Sequence, residues 1–304
     1  MLDTLRQRQA EIRTGRQSGI VTGLVVEGGG MRGLYSIGAL AVLQECGLTG
    51  AFDHIFAAST GALNASCFLA EQCGDALAAY LNDVTNRRFV NYLRWRKIVD
   101  VDFLVDEIMT RRRGLRVDKV LQSPSRLHVV LTDAVSRRAH VVTNQDPMGE
   151  WKEVLRATMA LPFLYNRPVA LAGRTYMDGC VVEPVPFTRA FQAGCTDILV
   201  ILSRQPDFRT TPGFLRDLLE RPLLRKYPAG IRELVRADRA AFNATMELLE
   251  HPQRLNHGVR LRVIYPSDMR RMGGATTLRR ERLLACAAMA DRDTRRFLGL
   301  DARR

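Results

Sequence analysis

Three consecutive glycines, Gly28 to Gly30, follow the apolar run Leu24-Val25-Val26 and precede a stretch with helical spacing. A short apolar run halted by glycine reads as a buried parallel strand. From Leu34 to Leu48 apolar residues recur at Leu34, Ile37, Leu40, Ala41, Leu43 and Leu48, and Gly47 stands where such a helix would stop. The pattern then repeats. His54-Ile55-Phe56-Ala57 reads as a second strand, and Thr60 to Leu69 as a second helix. Strand, loop, helix, strand, turn, helix is the order of an α/β fold. Further strands are expected at 127–132, 140–143, 198–203 and 261–265, with a hairpin over 169–177 turning at Ala172-Gly173.

The two ends differ from this middle. Residues 1–20 are polar and arginine-rich and read as a loosely held N-terminal arm of a helical turn or two. After Arg204 long charged helices are expected around 212–225, 230–249 and 277–298, with one strand among them. The chain therefore divides into an arm at 1–20, an α/β domain at 21–204, and a mostly helical C-terminal extension at 205–304 packed on that domain.

A chain of 304 residues with 46% hydrophobic and 25% charged residues can bury a sizeable core and is not that of a disordered protein. Its net charge is +13, and all but four of its 45 basic residues (Lys97, Lys119, Lys152, Lys226) are arginine. So lopsided a choice fits coding bias, yet the field would still draw anionic partners such as phospholipid head groups or nucleic acid. No nucleic-acid recognition module and no basic stripe with regular aromatic spacing is present, so no specific nucleic-acid partner is expected. Six cysteines form no C-x-x-C pair and no zinc-type spacing with histidine, so neither a metal site nor a redox motif is indicated, and no cofactor is called for. The N-terminus lacks the apolar segment of a secretory signal. The longest uncharged stretch, Ile55 to Ala70, has 16 residues, short of the ~18 to 20 that span a bilayer. The expectation is a cytoplasmic protein whose membrane contact, with anionic lipid at the inner face, is peripheral.

Three motifs can carry chemistry. In Glu27-Gly28-Gly29-Gly30-Met31-Arg32-Gly33, backbone N–H groups can converge without side-chain obstruction, and the following helix points its positive end at the same spot. Arg32 could add a full charge. An anion or developing oxyanion suits that place, although a dinucleotide phosphate loop or a plain turn would share the pattern. In Ala57-Ala58-Ser59-Thr60-Gly61, a serine sits at a strand-to-helix junction between small residues, close to the G-x-S-x-G nucleophile elbow with alanine for the first glycine. A simple helix N-cap would place a serine there too. In Met177-Asp178-Gly179-Cys180, an aspartate follows a strand, where Asp-Gly is also a common turn.

Taken jointly, G-G-G-x-R-G, an elbow serine about thirty residues later, and Asp178-Gly179-Cys180 far downstream resemble the patatin-like phospholipase family, particularly its bacterial members. Arg156-Ala157-Thr158-Met159-Ala160-Leu161-Pro162 is similar to the family's R-A-[ST]-x-A-x-P block. The resemblance runs from Leu24 to Ser203. It implies a three-layer α/β/α fold with a mainly parallel central sheet, and hydrolysis of lipid acyl esters by a Ser59–Asp178 dyad. It further implies an oxyanion hole at Gly28, Gly29, Gly30 and Arg32, with Ala57, Gly61 and Gly179 supporting the motifs. A catalytically weak or inactive lipid-binding or scaffold protein on the same fold is the alternative, which Ala57 encourages.

The five histidines agree with a dyad, since none lies where a catalytic base is required. His54 opens the strand that leads to Ser59, and extended backbone would leave it well below the elbow. An exposed aspartate, with pKa near ~3.9, is a feeble base. Burial beside Met177 and Val181 would raise Asp178, while Arg32 and helix dipoles would lower it. Around the site, residues 161–165 and 89–95, with Arg87, Arg88, Arg94 and Arg96, could form an apolar and cationic mouth.

Overall fold

The computed structural model describes residues 2–15, 19–94, 97–162, 164–165, 167–210, 229–251 and 258–300. The helix expected at 212–225 lies outside them, as do Trp95, Arg96 and Phe163 of the expected mouth.

One sheet of eight strands organises the chain: β1 (Thr22–Val26), β2 (His54–Ala58), β3 (Arg126–Asp133), β4 (Ala139–Thr143), β5 (Val169–Leu171), β6 (Arg174–Asp178), β7 (Asp197–Ile201) and β8 (Arg260–Ile264). Its order is β5-β6-β3-β2-β1-β7-β8, with β4 paired to β3. β1, β2, β3, β7 and β8 run parallel, and β4, β5 and β6 form the antiparallel part. β8 joins through the full length of β7, so the C-terminal third contributes to the same sheet.

Continuous apolar runs form the parallel strands because both faces are covered. Leu24 and Val26 face one core and Val25 the other, and in β7 Leu199 and Ile201 oppose Ile198 and Val200 in the same way. The larger core packs against α2 (Gly33–Glu45), α3 (Thr60–Leu69) and α6 (Trp151–Thr158), where Leu34, Leu63 and Leu155 are buried. α9 (Arg280–Phe297) lies on α2, with Ala290 against Gly38. The second core is covered by α7 (Phe187–Gln192) and α8 (Ala229–Glu250) through Phe187, Phe242 and Met246. The result is the three-layer α/β/α sandwich. Shorter helices α4 (Cys73–Ala78) and α5 (Val117–Gln122) and a π-helical segment, Phe103–Arg112, complete the helical shell.

The N-terminal residues form a helix, α1 (Leu2–Thr14), longer than the turn or two expected. Leu5 is buried, and the Arg8 guanidinium grips Asp53 through Nε and Nη2 at 2.9 and 2.6 Å. A bidentate pair of this kind fixes orientation as well as position.

The register on β3 brings two strand ends together. β4 lies along one edge of β3, opposite residues 128–132. On the other edge β2 pairs as far as Ala58 with Val130, and β6 takes over with Asp178 opposite Leu131. The end of β2 and the end of β6 therefore meet at successive residues of one strand.

Candidate active site

Ser59 follows that last β2 residue and begins α3 with φ 54° and ψ −137°. A β-carbon at positive φ is unfavourable, and such strain is characteristic of a serine lifted out at a strand-to-helix turn. Ser59 occupies the N-cap position, but its side chain makes no capping hydrogen bond. Its Oγ instead donates to Asp178 Oδ2 at 2.8 Å.

Small residues make the turn possible. A Cβ on Gly61 would lie 2.5 Å from the Val26 carbonyl oxygen, and one on Gly179 would lie 2.0 Å from that of Val130. Gly28 is equally confined, since its Cβ would meet Cys180 Sγ at 2.6 Å and Ser59 Cβ at 2.9 Å. Ala57 is fully buried inside β2, paired with Val26 and Val129.

The Arg156-to-Pro162 block supports both ends of the pair. Thr158 Oγ1 accepts from the Ser59 N–H at 2.9 Å and donates to the Val130 carbonyl at 2.7 Å. The Ala160 carbonyl accepts the Asp178 N–H at 3.1 Å, and Thr132 Oγ1 donates to the Asp178 carbonyl at 2.7 Å. Thr158 and Thr132 were not singled out by sequence; the block was visible as a motif, but which of its side chains would turn inward was not. Arg156 is buried at the other end of the block, where it binds Asp106 at 2.7 Å, Glu153 at 3.0 Å and also Asp102.

Asp178 is 1% exposed. Its Oδ1 accepts the Cys180 N–H at 2.8 Å. Loss of solvent raises its pKa to about 7, against the lowering effect of the hydrogen bonds from Cys180 and Ser59. Burial thus outweighs them, and Arg32 is not among the groups that govern the carboxyl. A carboxylate that holds a proton up to neutral pH is matched to proton transfer at that pH.

The glycine loop runs beside Ser59. The Gly29 N–H donates to Thr60 Oγ1 at 3.1 Å and the Met31 N–H to the Ala275 carbonyl at 2.8 Å. Among the described residues, the N–H groups of Gly28 and Gly30 have no protein acceptor. Gly30 takes φ +58°, with the Ala275 carbonyl 2.5 Å from where its Cβ would be. Glu27, buried at the end of β1, accepts the Ser203 N–H at 2.5 Å and lies 4.0 Å from Arg204 Nε.

These groups share one cavity of about 490 Å³. Ser59, Asp178, Gly28, Gly29, Gly30 and Arg32 all line it, and its walls are largely apolar, including Phe89, Leu104, Met159, Leu161, Val181 and Phe242. A concave apolar space with a few convergent polar groups is the usual form of a small-molecule site.

His54 lies elsewhere. Five residues of strand carry it about 16 Å from Ser59, and its Nδ1 contacts His128 Nε2 at 3.1 Å. Burial lowers both histidines, His128 to about 4. Among the described residues no cluster of His, Cys, Asp and Glu could hold a metal ion. None of their helices is long and apolar enough to cross a membrane.

Comparison with known proteins adds three findings. The sequence model of the patatin-like phospholipases matches residues 24–191. The uncharacterised protein YjjU of Escherichia coli K12 is 27% identical over 237 residues, which cover 75% of this chain and 64% of YjjU. The chain thus matches less than two thirds of that relative's length. The crystal structure of VipD from Legionella pneumophila aligns with a TM-score of 0.49 at 14% identity, over 92% of this chain and 67% of VipD.

Proposed function

Because this chain belongs to the patatin-like phospholipase family, we propose that it is a serine hydrolase that cleaves acyl ester bonds of lipids with Ser59 as nucleophile and Asp178 as base. The single observation that carries this reading is the 2.8 Å contact between Ser59 Oγ and the buried Asp178 carboxylate, both of which line a largely apolar cavity. In this reading the hydrolase domain spans residues 21–204, and Phe242 and Ala275 of the C-terminal third complete its cavity.

The chemistry follows from the geometry. Asp178 takes the Ser59 hydroxyl proton as Oγ bonds to the ester carbonyl carbon, whose oxygen becomes an anion. The Gly28 and Gly30 amides, which line the same cavity as Ser59 and have no protein acceptor among the described residues, are the donors for that oxygen, and the Gly29 amide, held by Thr60, keeps the loop in shape. Losing one oxyanion donor costs ~2.7 to 4 kcal/mol of barrier, so these amides carry much of the rate. Collapse of the intermediate breaks the bond to the alcohol, which leaves with the proton held by Asp178. Asp178 then deprotonates a water that attacks the acyl-serine, and the proton returns to Ser59 Oγ as the acid departs. The N-terminus of α3 adds a partial positive charge near the developing alkoxide.

Fluorophosphonate labelling with mass mapping tests the reading. Wild-type protein is expected to gain one adduct on Ser59, and Ser59→Ala none. Absence of label together with absence of turnover on soluble and lipid esters would favour a lipid-binding or scaffold protein on this fold.

A further inference from the structure

One wall of the cavity is formed by the base of a hairpin whose base and tip meet different surroundings. At its base Val90 bridges Val99, and Phe89 and Val99 line the cavity. The tip is a tight turn. Asn91 donates its N–H to the Ile98 carbonyl at 2.8 Å and accepts the Leu93 N–H on Oδ1 at 3.0 Å. Arg94 folds inward to the Arg88 and Phe89 carbonyls at 2.9 and 3.1 Å and to Asp100 at 3.2 Å. Lys97 also turns in, bridging Asp100 and Asp102 at 2.7 Å each.

Tyr92 and Leu93 lie at this turn and are 67% and 87% exposed. The Tyr92 hydroxyl bonds to Thr276 Oγ1, which sets the tip beside the segment 269–280, whose Ala275 also lines the cavity. Both segments are cationic. Residues 84–98 include Arg87, Arg88, Arg94, Arg96 and Lys97, residues 269–280 include Arg270, Arg271, Arg279 and Arg280, and neither contains a carboxylate. Arg87, Arg88, Arg279 and Arg280 are exposed, and Arg280 reaches Leu81 and Asn82 on the chain leading into the hairpin.

Arg270 and Arg271 pair with Asp268, but among the described residues Arg87, Arg88, Arg279 and Arg280 have no acidic partner, and an amphipathic tyrosine and a leucine side by side between such arginines complement a surface that is apolar inside and anionic at its face. We propose that the Tyr92-Leu93 tip inserts into an anionic lipid bilayer, with Arg87, Arg88, Arg279 and Arg280 against head-group phosphates, so that the catalytic cavity opens directly onto lipid. That the cavity then receives an acyl chain rests on the hydrolase reading; the docking itself does not.

The test is co-sedimentation of full-length Ser59→Ala protein, which leaves vesicle lipid intact, with vesicles of phosphatidylcholine alone or mixed with phosphatidylglycerol. Binding to the anionic vesicles at low salt is expected, falling steeply as salt screens the arginines. Leu93→Asp should weaken it about tenfold or more, and Arg87→Gln with Arg88→Gln by about tenfold or more on anionic vesicles only. In the Ser59 background Leu93→Asp should leave turnover of a soluble short-chain ester unchanged, because Leu93 does not line the cavity. Parent protein that remains in the supernatant overturns the proposal, as does binding indifferent to Leu93. Vesicle binding that depends on Leu93 in a protein without esterase activity would refute the hydrolase reading and leave the docking surface standing.

Discussion

Ser59 and Asp178 stand 119 residues apart in sequence, and 2.8 Å separates their side chains because β2 and β6 end on neighbouring residues of β3. The contact is made by a strained serine and a carboxyl removed from solvent, and both departures from the ordinary have measurable consequences.

The first concerns pH. With its carboxyl pushed up to about 7 by burial, Asp178 can, in the proposed mechanism, accept a proton from Ser59 only after losing its own. The kcat/KM for a soluble ester is therefore expected to fall about tenfold per pH unit well below pH ~7 and to level off above it. A profile flat down to pH ~5 would remove Asp178 as the base.

The second concerns stability. In the unfolded chain an aspartate releases its proton near the ordinary value of 3.8, whereas folded Asp178 retains it to about 7. The native state binds more protons at this group between those limits, so its contribution to stability is fully present below about 4 and is lost as pH rises through about 7. Asp178→Asn removes the charge and is expected to melt above the wild type at pH ~8, with the difference shrinking toward pH ~4. Thermal melts across that range check the sign, and hydrolysis should fall by about a hundredfold or more in the same variant.

Thr158 supplies a third expectation. Thr158→Val leaves the buried Ser59 N–H without an acceptor and the Val130 carbonyl without its donor. An orphaned buried group costs about 1–3 kcal/mol. Denaturant unfolding should show that loss, and kcat should drop with little change in KM; Thr158→Ser should recover both.

Glycine replacements give a fourth. Gly179→Ala drives a methyl to 2.0 Å from the Val130 carbonyl oxygen and is expected to cost about 3 kcal/mol by displacing β6 from β3. Gly50→Ala meets nothing within 4 Å and is expected to lie within about 1 kcal/mol of the parent. Equal midpoints for the two in urea would contradict the close approach.

Much of this was legible in the sequence because the signals are local. The run Leu24-Val25-Val26 ends where a strand on β7 and β2 must end, and Gly47, at φ +71°, closes α2 as its position suggested. The hairpin turns at Ala172 and Gly173, both at positive φ. Long-range balances were not legible. The competition that sets the Asp178 carboxyl depends on how completely β3, β6 and the Thr158–Ala160 turn exclude water, and that is a property of packing. Nor did spacing disclose that Thr60 claims the Gly29 amide, or that Phe103–Arg112 winds as a π-helix.

The shared seat on β3 also bears on how the site responds to motion. Val130 and Leu131 belong to one peptide unit's span of strand, so sliding or twisting of β3 carries serine and carboxylate along together, as common-mode displacement. In the proposed mechanism, movement of the outer helices is thus expected to alter the room available to a bound molecule more than the distance a proton must travel. If Ser59 and Asp178 act as proposed, tolerance for bulkier or slimmer acyl groups can drift through changes in the walls while the transfer geometry stays calibrated.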